Sequence, residues 1–459
     1  MKLVSILDYI LFGGYLVLVL GVGVFSARRR KPGPEFFLAG RSMRWVPVGL
    51  SVMTAVFSAL NFTQFPEEVF GHGLYVLMVL PAFVLVAIPV WKFIIPFYHS
   101  RQSVSAYEFL QQRFDVRVRR LASGLFIVWR MAWMAIVLFA TCKPLALITG
   151  IPMHLLILLA GTVTIFYTAM GGMRSVIWTD VAQFVVLIGG LLAGLGYAVA
   201  SSGGLAAMMS AAVQNGLTRP FFPFDASILS PDPAVRMTLW SCLIGGATAF
   251  MARYGADQMV AQRYFSARSL ADARKGFILS IACTLLALIC LGLLGFAVHA
   301  HSLQAGILAS PGLKPAHHLA LFLQSLPYGI SGLLISGLFA SGMMDSGIHS
   351  CATVLACDFP NRITAKARLM TILVGLVVMN LAAHVVGHLG TIFEIANKIV
   401  NGLGSPLLAI LLMGWLSRRA TSLGVLIGGM GGAAWSIYVS FFVNGLALHY
   451  YAVVNLIGA

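Results

Sequence analysis

Charged residues are scarce in this chain of 459 residues: only 10% are Asp, Glu, Lys or Arg, whereas 59% are hydrophobic and the mean hydropathy is +0.91. Soluble domains carry about 25% charged residues, so this composition excludes a soluble enzyme and places most of the chain in lipid. With roughly 20 apolar residues per span and short loops, the length allows about a dozen transmembrane helices in a single membrane domain, residues 1–459.

Cysteine and nucleotide-binding motifs are also sparse. We expect the six cysteines to be packing residues without disulfides or metal ligation: Cys142, Cys242, Cys283, Cys290, Cys351 and Cys357. The sequence contains no Walker motif, which ATP-driven pumping would require. It also contains no nucleophile–base pair or metal cluster at a spacing that an enzyme could use. The remaining function is movement of a solute, either down its own gradient or driven by an ion gradient.

The apolar runs predict about 12 crossings, each bounded to within about four residues. The predicted spans are 5–26, 44–70, 73–98, 121–148, 154–170, 177–200, 236–262, 275–300, 328–356, 367–387, 392–416 and 421–445. The first run is too long, and has too few basic residues before it, for a cleaved signal peptide. It therefore predicts a retained helix.

The basic residues that give the net charge of +16 lie in short connections between apolar runs. They therefore indicate the membrane topology and not a surface that binds nucleic acid. One side has few, namely Lys2, Arg219, Arg236 and Lys314. The other side has most of the rest, among them Arg28, Arg29, Arg30, Lys31, Arg117, Arg119, Arg120, Arg174, Arg263, Arg268, Arg362, Arg418 and Arg419. By the positive-inside rule the second side is cytoplasmic, which predicts a multi-pass plasma-membrane protein with its N-terminus outside.

The segment Ala169–Gln183 places Asp180 at the mouth of a long apolar helix. Acidic residues within membrane segments usually handle an ion or a polar solute. The alternative is that Asp180 caps the helix that begins near Thr179 and interacts with its positive end.

Two spans are predicted to be interrupted. In the second span, Asn61, Thr63 and Gln64 precede Pro66, and in the seventh span Asp257 and Gln258 follow two glycine-containing stretches. Broken helices at corresponding positions of two half-repeats are the best sequence indication of a transporter's central site.

Other charged residues in the spans have structural alternatives. Asp257 has an arginine, Arg253, four residues earlier, and the two could form a helical ion pair. Glu394 and Lys398 have the same spacing. Arg130 and Lys143 lie in the fourth span, where a cation facing a cavity would suit an anionic solute, although snorkelling explains them equally well.

Taken together, several ordered stretches resemble the sodium/solute symporter family along nearly the whole chain, most closely its branch for monocarboxylates, water-soluble vitamins and iodide. The matching stretches are Pro47-Val-Gly-Leu-Ser51, Phe57-Ser-Ala59 with Pro66-Glu-Glu68, Ser105–Phe114, Phe166–Val181, Tyr254–Gln258 and Gln262-Arg-Tyr264. The resemblance implies an all-α membrane protein of LeuT type. In it, an extra helix (5–26) precedes two inverted five-helix repeats (44–200 and 236–416), with one more helix at 421–445.

The resemblance also implies positions for ligands near the midplane. Asn61, Gln64, Asp257 and Gln258 would contact the solute, and the backbone near Thr54 and Phe57 would supply carbonyl ligands to Na⁺. Asp180 matches an acidic residue on the cytoplasmic sodium path.

One departure concerns the sodium ligands. The family places adjacent hydroxyl residues shortly before a motif that matches Asp345–Ser350, but the corresponding positions here are Gly342 and Met343. Neither side chain offers the oxygen that a hard cation prefers. Ser341, Asp345 or Ser346 could replace them if the helix is locally shifted or shortened.

We therefore predict a secondary transporter, not an enzyme, that imports a small polar or carboxylate-bearing solute with Na⁺ by alternating access. Its expected partners are the solute and the lipid bilayer, with no nucleic acid and no obligatory protein partner. The alternatives are proton coupling, uncoupled transport through a degenerate sodium site, and a solute-sensing module.

Overall fold

A computed structural model describes residues 5–28, 35–101, 103–308, 315–359, 364–384, 386, 392–443, 445–446 and 449–459. Within these ranges, the side chains of residues 27–28, 315–316, 364–365, 392–398, 400 and 401 are not described. The predictions for Lys2, Arg28, Arg29, Arg30, Lys31, Lys314, Arg362, Glu394 and Lys398 lie outside the described residues or side chains.

The described chain is 84% helical and contains no strands. Its helices are α1 (Ile6–Arg28), α2 (Glu35–Leu38), α3 (Trp45–Val56), α4 (Ala59–His72), α5 (Leu80–Pro89), α6 (Ile95–Ser100), α7 (Glu108–Arg113), α8 (Val116–Thr149), α9 (Met153–Ser201), α10 (Leu205–Gln214), α11 (Gly246–Met251), α12 (Gln258–Ser266), α13 (Leu270–Gln304), α14 (Pro315–Ser325), α15 (Ile330–Ser341), α16 (Asp345–Asp358), α17 (Thr364–His384), α18 (Ile392–Leu416), α19 (Ser422–Phe442) and α20 (Tyr450–Gly458). This confirms the all-α membrane fold predicted from composition.

Among the described residues, 7 helices are long and apolar enough to cross a membrane, or up to 8 when the bent pair of α3 and α4 is included. Predicted spans that are broken by short irregular segments consist of helices too short to be counted in this way. The count of twelve crossings therefore stays a prediction. Large apolar side chains such as Ile88, Phe93 and Leu158 are exposed on the outer surface, as expected for contact with lipid.

The two spans predicted at 154–170 and 177–200 are joined in α9, which has 49 residues. A straight helix of that length would extend about 74 Å, more than twice the hydrocarbon thickness of a bilayer. Gly172 interrupts it with φ 62° and ψ −156°, a conformation that L side chains rarely adopt. A Cβ at this position would also lie 2.5 Å from the carbonyl oxygen of Phe36. Only glycine allows α9 to bend here.

Both predicted interruptions occur. Helices α3 and α4 meet at an angle of 61° across Phe57 and Ser58, earlier than Pro66, which remains inside α4. A new helix starts there because Asn61 Oδ1 accepts hydrogen bonds from the backbone and hydroxyl of Ser58, at 3.1 and 3.3 Å. In the second half, a π-helical turn over Ala252–Ala256 leads into extended backbone at Asp257, and α12 begins at the next residue.

A third interruption was not predicted. The span expected at 328–356 ends as α15 at Ser341 and restarts as α16 at Asp345. Gly342 occupies the gap because its Cα packs against Thr141, where a Cβ would lie 2.0 Å from the hydroxyl oxygen. The new helix starts with the Asp345 carboxylate accepting the backbone N–H of Ser346 at 2.9 Å.

The extra helix α1 packs against α9 and α15. Its buried Asp8 accepts the backbone N–H groups of Gly329 and Gly332, each at 2.8 Å, and the hydroxyl of Ser331 at 2.9 Å. These donors belong to the N-terminal end of α15, whose positive end favours a carboxylate. A carboxylate from one helix thus caps another and fixes the two together.

Two arginines that were assigned to cytoplasmic connections are buried among the helices. Arg119 is 4% exposed and pairs with Asp358 at 2.5 Å, and Arg263 is fully buried. Each is held inside by a buried carboxylate, a pairing that the charge pattern of a single sequence does not reveal.

Candidate functional site

A cavity lies where the broken pair α3 and α4 meets the break between α15 and α16. Its volume is about 30 Å³, which holds an ion or a water molecule but not an organic solute. Six of the predicted site residues line it: Thr54, Phe57, Asp180, Ser341, Asp345 and Ser346. The structure therefore gathers the residues predicted for sodium and its path around one small space.

Asp180 does not cap a helix, so that alternative is wrong. It lies inside α9, well beyond the bend, and is 1% exposed. Its Oδ2 accepts the hydroxyl of Ser51 on α3 at 2.5 Å, and its backbone carbonyl accepts the hydroxyl of Thr54 at 3.2 Å. The carboxylate thus connects α9 to the end of α3.

Arg263, on α12, holds the other side of this carboxylate. Its Nη2 lies 2.7 Å from Asp180 Oδ2 and donates to Ser346 Oγ at 2.5 Å. Its Nε donates to Ser51 Oγ at 2.7 Å, and its Nη1 donates to the Met259 carbonyl at 2.6 Å. One guanidinium therefore joins α3, α9, α12 and α16.

Asp345 is the second acid of the cavity and is 1% exposed. Its Oδ2 accepts the hydroxyl of Thr179 at 3.0 Å and the amide of Gln183 at 3.4 Å. Its Oδ1 accepts the backbone N–H of Ser346. All of these donors are neutral, and Asp345 forms no ion pair within the described residues. We call Asp180, Asp345 and Arg263 the acidic cluster; it carries two negative charges and one positive charge.

Two helices end at the cavity, and both present their C-terminal ends. Helix α3 ends at Val56 and α15 ends at Ser341, so their last carbonyl groups lack helical partners and carry partial negative charge. Met343 also lines the cavity, but its sulfur accepts the hydroxyl of Thr164 at 3.2 Å. Ser341, Asp345 and Ser346, which flank Gly342 and Met343 in the chain, line the cavity with oxygen-bearing side chains.

A second buried ion pair borders the same cavity. Arg130 on α8 lines it and pairs through Nη2 with Oδ2 of Asp257, at the break before α12. Asp257 Oδ1 also accepts the backbone N–H of Met259 at 2.9 Å. The predicted pair of Asp257 with Arg253 does not form, because the π-helical turn and the extended residue between them remove the i, i+4 geometry.

The remaining predicted solute residues do not line this cavity. Asn61 uses its carbonyl oxygen to start α4, and Gln64 is half-buried on the same helix. Gln258 donates to the Val104 carbonyl at 2.8 Å and accepts from the Ala106 N–H at 2.6 Å. Its amide therefore anchors the loop before α7, and a solute contact there has no support from this arrangement.

Several residues of the site were missed from the sequence: Arg263, Ser51, Thr179 and Gln183. Ser51, Gln183 and Arg263 lay in or beside motifs that had been recognised, but their roles depend on contacts between distant helices. Arg263 could have been found from a charge count, since acids buried in a membrane domain need cations to pair with.

The chain is similar to known proteins over most of its length. The model of the Sodium:solute symporter family matches residues 36–432. The sodium-dependent multivitamin transporter of Oryctolagus cuniculus is 30% identical over 455 residues, covering 95% of this chain and 70% of the relative. The human sodium-coupled monocarboxylate transporter 1 is 27% identical over 452 residues, covering 94% of this chain and 73% of the relative.

Solved structures share the fold. A Na⁺-coupled sialic acid symporter, in a substrate-bound outward-open state, superposes with a TM-score of 0.89 at 25% identity over 99% of this chain and 96% of that chain. A nucleobase-cation-symport-1 family transporter in a closed conformation has a TM-score of 0.58 at 12% identity, with 93% of each chain covered, and so supports the fold alone.

Proposed function

The chain belongs to the sodium:solute symporter family, and from that premise we propose that it imports a small carboxylate-bearing solute across the plasma membrane together with Na⁺. The coupling ion of the family is Na⁺, and the solutes named for the relatives are monocarboxylates, vitamins and sialic acid. The distribution of basic loops favours an N-terminus outside the cell. The inverted repeats at 44–200 and 236–416 would supply the alternating access.

The observation that supports this function best is the unmatched charge of the acidic cluster. Asp180 and Asp345 are almost completely buried beside the cavity, and Arg263 supplies only one positive charge. Burying a carboxylate without a counter-charge in contact is costly, so the acidic cluster favours the binding of a cation or a proton. A cavity of about 30 Å³ has room for an ion.

The oxygen atoms around the cavity suit a hard cation. We assign the ion to the space between Asp345, Ser346 and Ser341 on one side and the backbone at Thr54 and Phe57 on the other. Carboxylate, hydroxyl and carbonyl oxygens are the ligands that hard cations prefer, and the C-terminal ends of α3 and α15 add favourable partial charge. Asp180 would then join this site to the path by which the ion leaves.

Thermal unfolding of the purified protein tests the ion site. We expect the melting temperature to rise saturably with Na⁺ at constant pH and ionic strength, and not with K⁺ or choline, because a ligand that binds only the folded state stabilises it. Asp345→Asn removes the unmatched charge and should abolish this rise. Ser346→Ala should weaken it.

Asp8→Asn is the matched control, because Asp8 is an equally buried carboxylate that caps α15 away from the cavity. It should lower the melting temperature but keep the response to Na⁺. Uptake of labelled pyruvate, lactate, propionate and nicotinate into liposomes then tests transport. Uptake that is unchanged when choline replaces Na⁺ would overturn sodium coupling in favour of protons or facilitated diffusion, and binding without uptake would indicate a sensor.

A further inference from the structure

A second group of charged residues beside the cavity has an excess of positive charge. Arg130 and Asp257 neutralise one another, but Arg253 also lies here, with Cζ 5.5 Å from the ring centre of Trp133. Trp133 lines the cavity. Within the described residues, Arg253 forms no ion pair and no hydrogen bond, and its side chain is half-buried. We call Arg130, Asp257 and Arg253 the basic cluster.

Buried hydrogen-bond donors without partners lie in the same place. The Nε of Arg130, a side chain only 4% exposed, has no acceptor among the described residues. The Nε1 of Trp129 is also without an acceptor, and the Arg130 guanidinium lies 4.7 Å from its ring centre. Both orphan atoms are donors. An ionised carboxylate offers only acceptors and carries the missing negative charge, so it matches the hydrogen bonds and the charge together.

We propose that Arg253, with Arg130 and the faces of Trp129 and Trp133, forms the subsite that holds the carboxylate of the transported solute. Asp257 neutralises Arg130, so the subsite has one net positive charge and selects a monovalent anion. This inference rests on the proposed function and deepens it, because it names the group of the solute that is recognised and the residue that selects it.

The location of Arg253 gives the subsite a way to respond to the solute. It belongs to the π-helical turn Ala252–Ala256, which ends at the extended backbone of Asp257. An anion held by Arg253 and Arg130 would tie this turn to α8 on the far side of the cavity. The present cavity is too small for the rest of an organic solute, so binding requires the broken helix to move away from α8.

Substitutions that change the net charge of the basic cluster test the subsite. Arg253→Gln leaves the basic cluster neutral and should raise the KM for a monocarboxylate roughly ten- to hundredfold, since a charged partner of the carboxylate is lost. Asp257→Asn leaves two positive charges and should shift preference toward a dicarboxylate such as succinate. The double variant Arg253→Gln with Asp257→Asn again has one positive charge, on Arg130, and should recover most of the affinity for monocarboxylates.

The first measurement is the KM for labelled propionate, and labelled pyruvate, lactate and nicotinate are measured in the same way. The second is inhibition of this uptake by succinate and by propionamide, the neutral isostere of propionate. The Na⁺-dependent melting temperature serves as a second readout and should still rise with Na⁺ in Arg253→Gln, which shows that the variant folds and binds the ion. Arg274→Gln is the matched control, since Arg274 also stacks on a tryptophan at 4.4 Å, but this tryptophan, Trp91, does not line the cavity.

The outcomes separate this inference from the function on which it rests. If the unaltered protein neither binds nor transports any of these carboxylates, the proposed function fails and the subsite fails with it. If it transports one of them and Arg253→Gln leaves KM and the discrimination against the amide unchanged, only the subsite is refuted. Failure of the double variant to recover affinity would show that Arg253 has a structural role instead.

Discussion

At the scale of single residues, the position of Arg263 bears on how the ion site is filled. Its guanidinium already contacts Asp180 and Ser346, two of the groups that border the cation site. It is fully buried and therefore fixes one negative charge permanently, leaving Asp345 as the charge that a mobile ion must meet. The site thus combines a fixed positive charge, the Arg263 side chain, with an exchangeable cation.

Arg263→Gln should show this division of charge. Removing one partner of a buried ion pair destabilises a protein by about 3–5 kcal/mol, so we expect a large fall in melting temperature without Na⁺. The variant then has two unmatched carboxylates, and Na⁺ should raise its melting temperature by more than it does in the unaltered protein. The measurement is a thermal unfolding series across Na⁺ concentration.

Arg119→Gln provides the comparison for that experiment. Arg119 is also buried and also pairs with a carboxylate, Asp358, but neither residue lines the cavity. The Arg119→Gln variant should lose stability to a similar extent, but Na⁺ should raise its melting temperature no more than that of the unaltered protein. Equal sodium responses in the two variants would contradict the assignment of the cation to the acidic cluster.

At the scale of secondary-structure elements, the breaks in the helices position the site, and two of the three were predicted from sequence. Glycine, proline and polar residues within the second and seventh apolar runs indicated that both spans are interrupted, and the breaks lie at Phe57–Ser58 and at Asp257. The break at Gly342 was missed because apolar residues surround it and the run reads as one span. Its cause is the packing of Gly342 against Thr141 on a distant helix.

The same limit explains which parts of the site could be predicted. Motif resemblance located Thr54, Asp180, Asp345 and Ser346 because these residues lie in or beside the stretches that match the family. It could not pair Asp257 with Arg130, since that contact joins helices far apart in the sequence. Partners of buried charges are set by the way helices pack, and a single sequence records only the charges themselves.

The bend in α9 gives a direct test at this scale. Gly172→Ala should destabilise the protein by about 2–4 kcal/mol, because alanine must adopt a left-handed backbone conformation while its Cβ meets the Phe36 carbonyl. Gly189→Ala lies on the same helix with open space around it and should be neutral or slightly stabilising. Thermal unfolding measures both, and equal effects would show that the bend does not depend on Gly172.

At the scale of the whole molecule, the acidic and basic clusters border one cavity and carry opposite unmatched charges. The acidic cluster lacks one positive charge and the basic cluster lacks one negative charge. The site is therefore neutral overall when empty, and neutral again when one Na⁺ and one monovalent anion are both bound. When only Na⁺ or only the anion is bound, the site carries a net charge. Enclosing an unmatched charge away from water is costly, so a half-loaded protein should close poorly, which couples the two fluxes.

This charge balance predicts that transport is electroneutral, with one Na⁺ carried per monocarboxylate. In proteoliposomes the ratio of labelled sodium to labelled solute should be close to one, and a K⁺ diffusion potential imposed with valinomycin should not change the rate. Stimulation by an inside-negative potential would refute it. In Arg253→Gln the basic cluster is neutral, so the state with Na⁺ alone carries no unmatched charge. That variant should therefore move Na⁺ without solute, whereas the unaltered protein and Arg274→Gln should not.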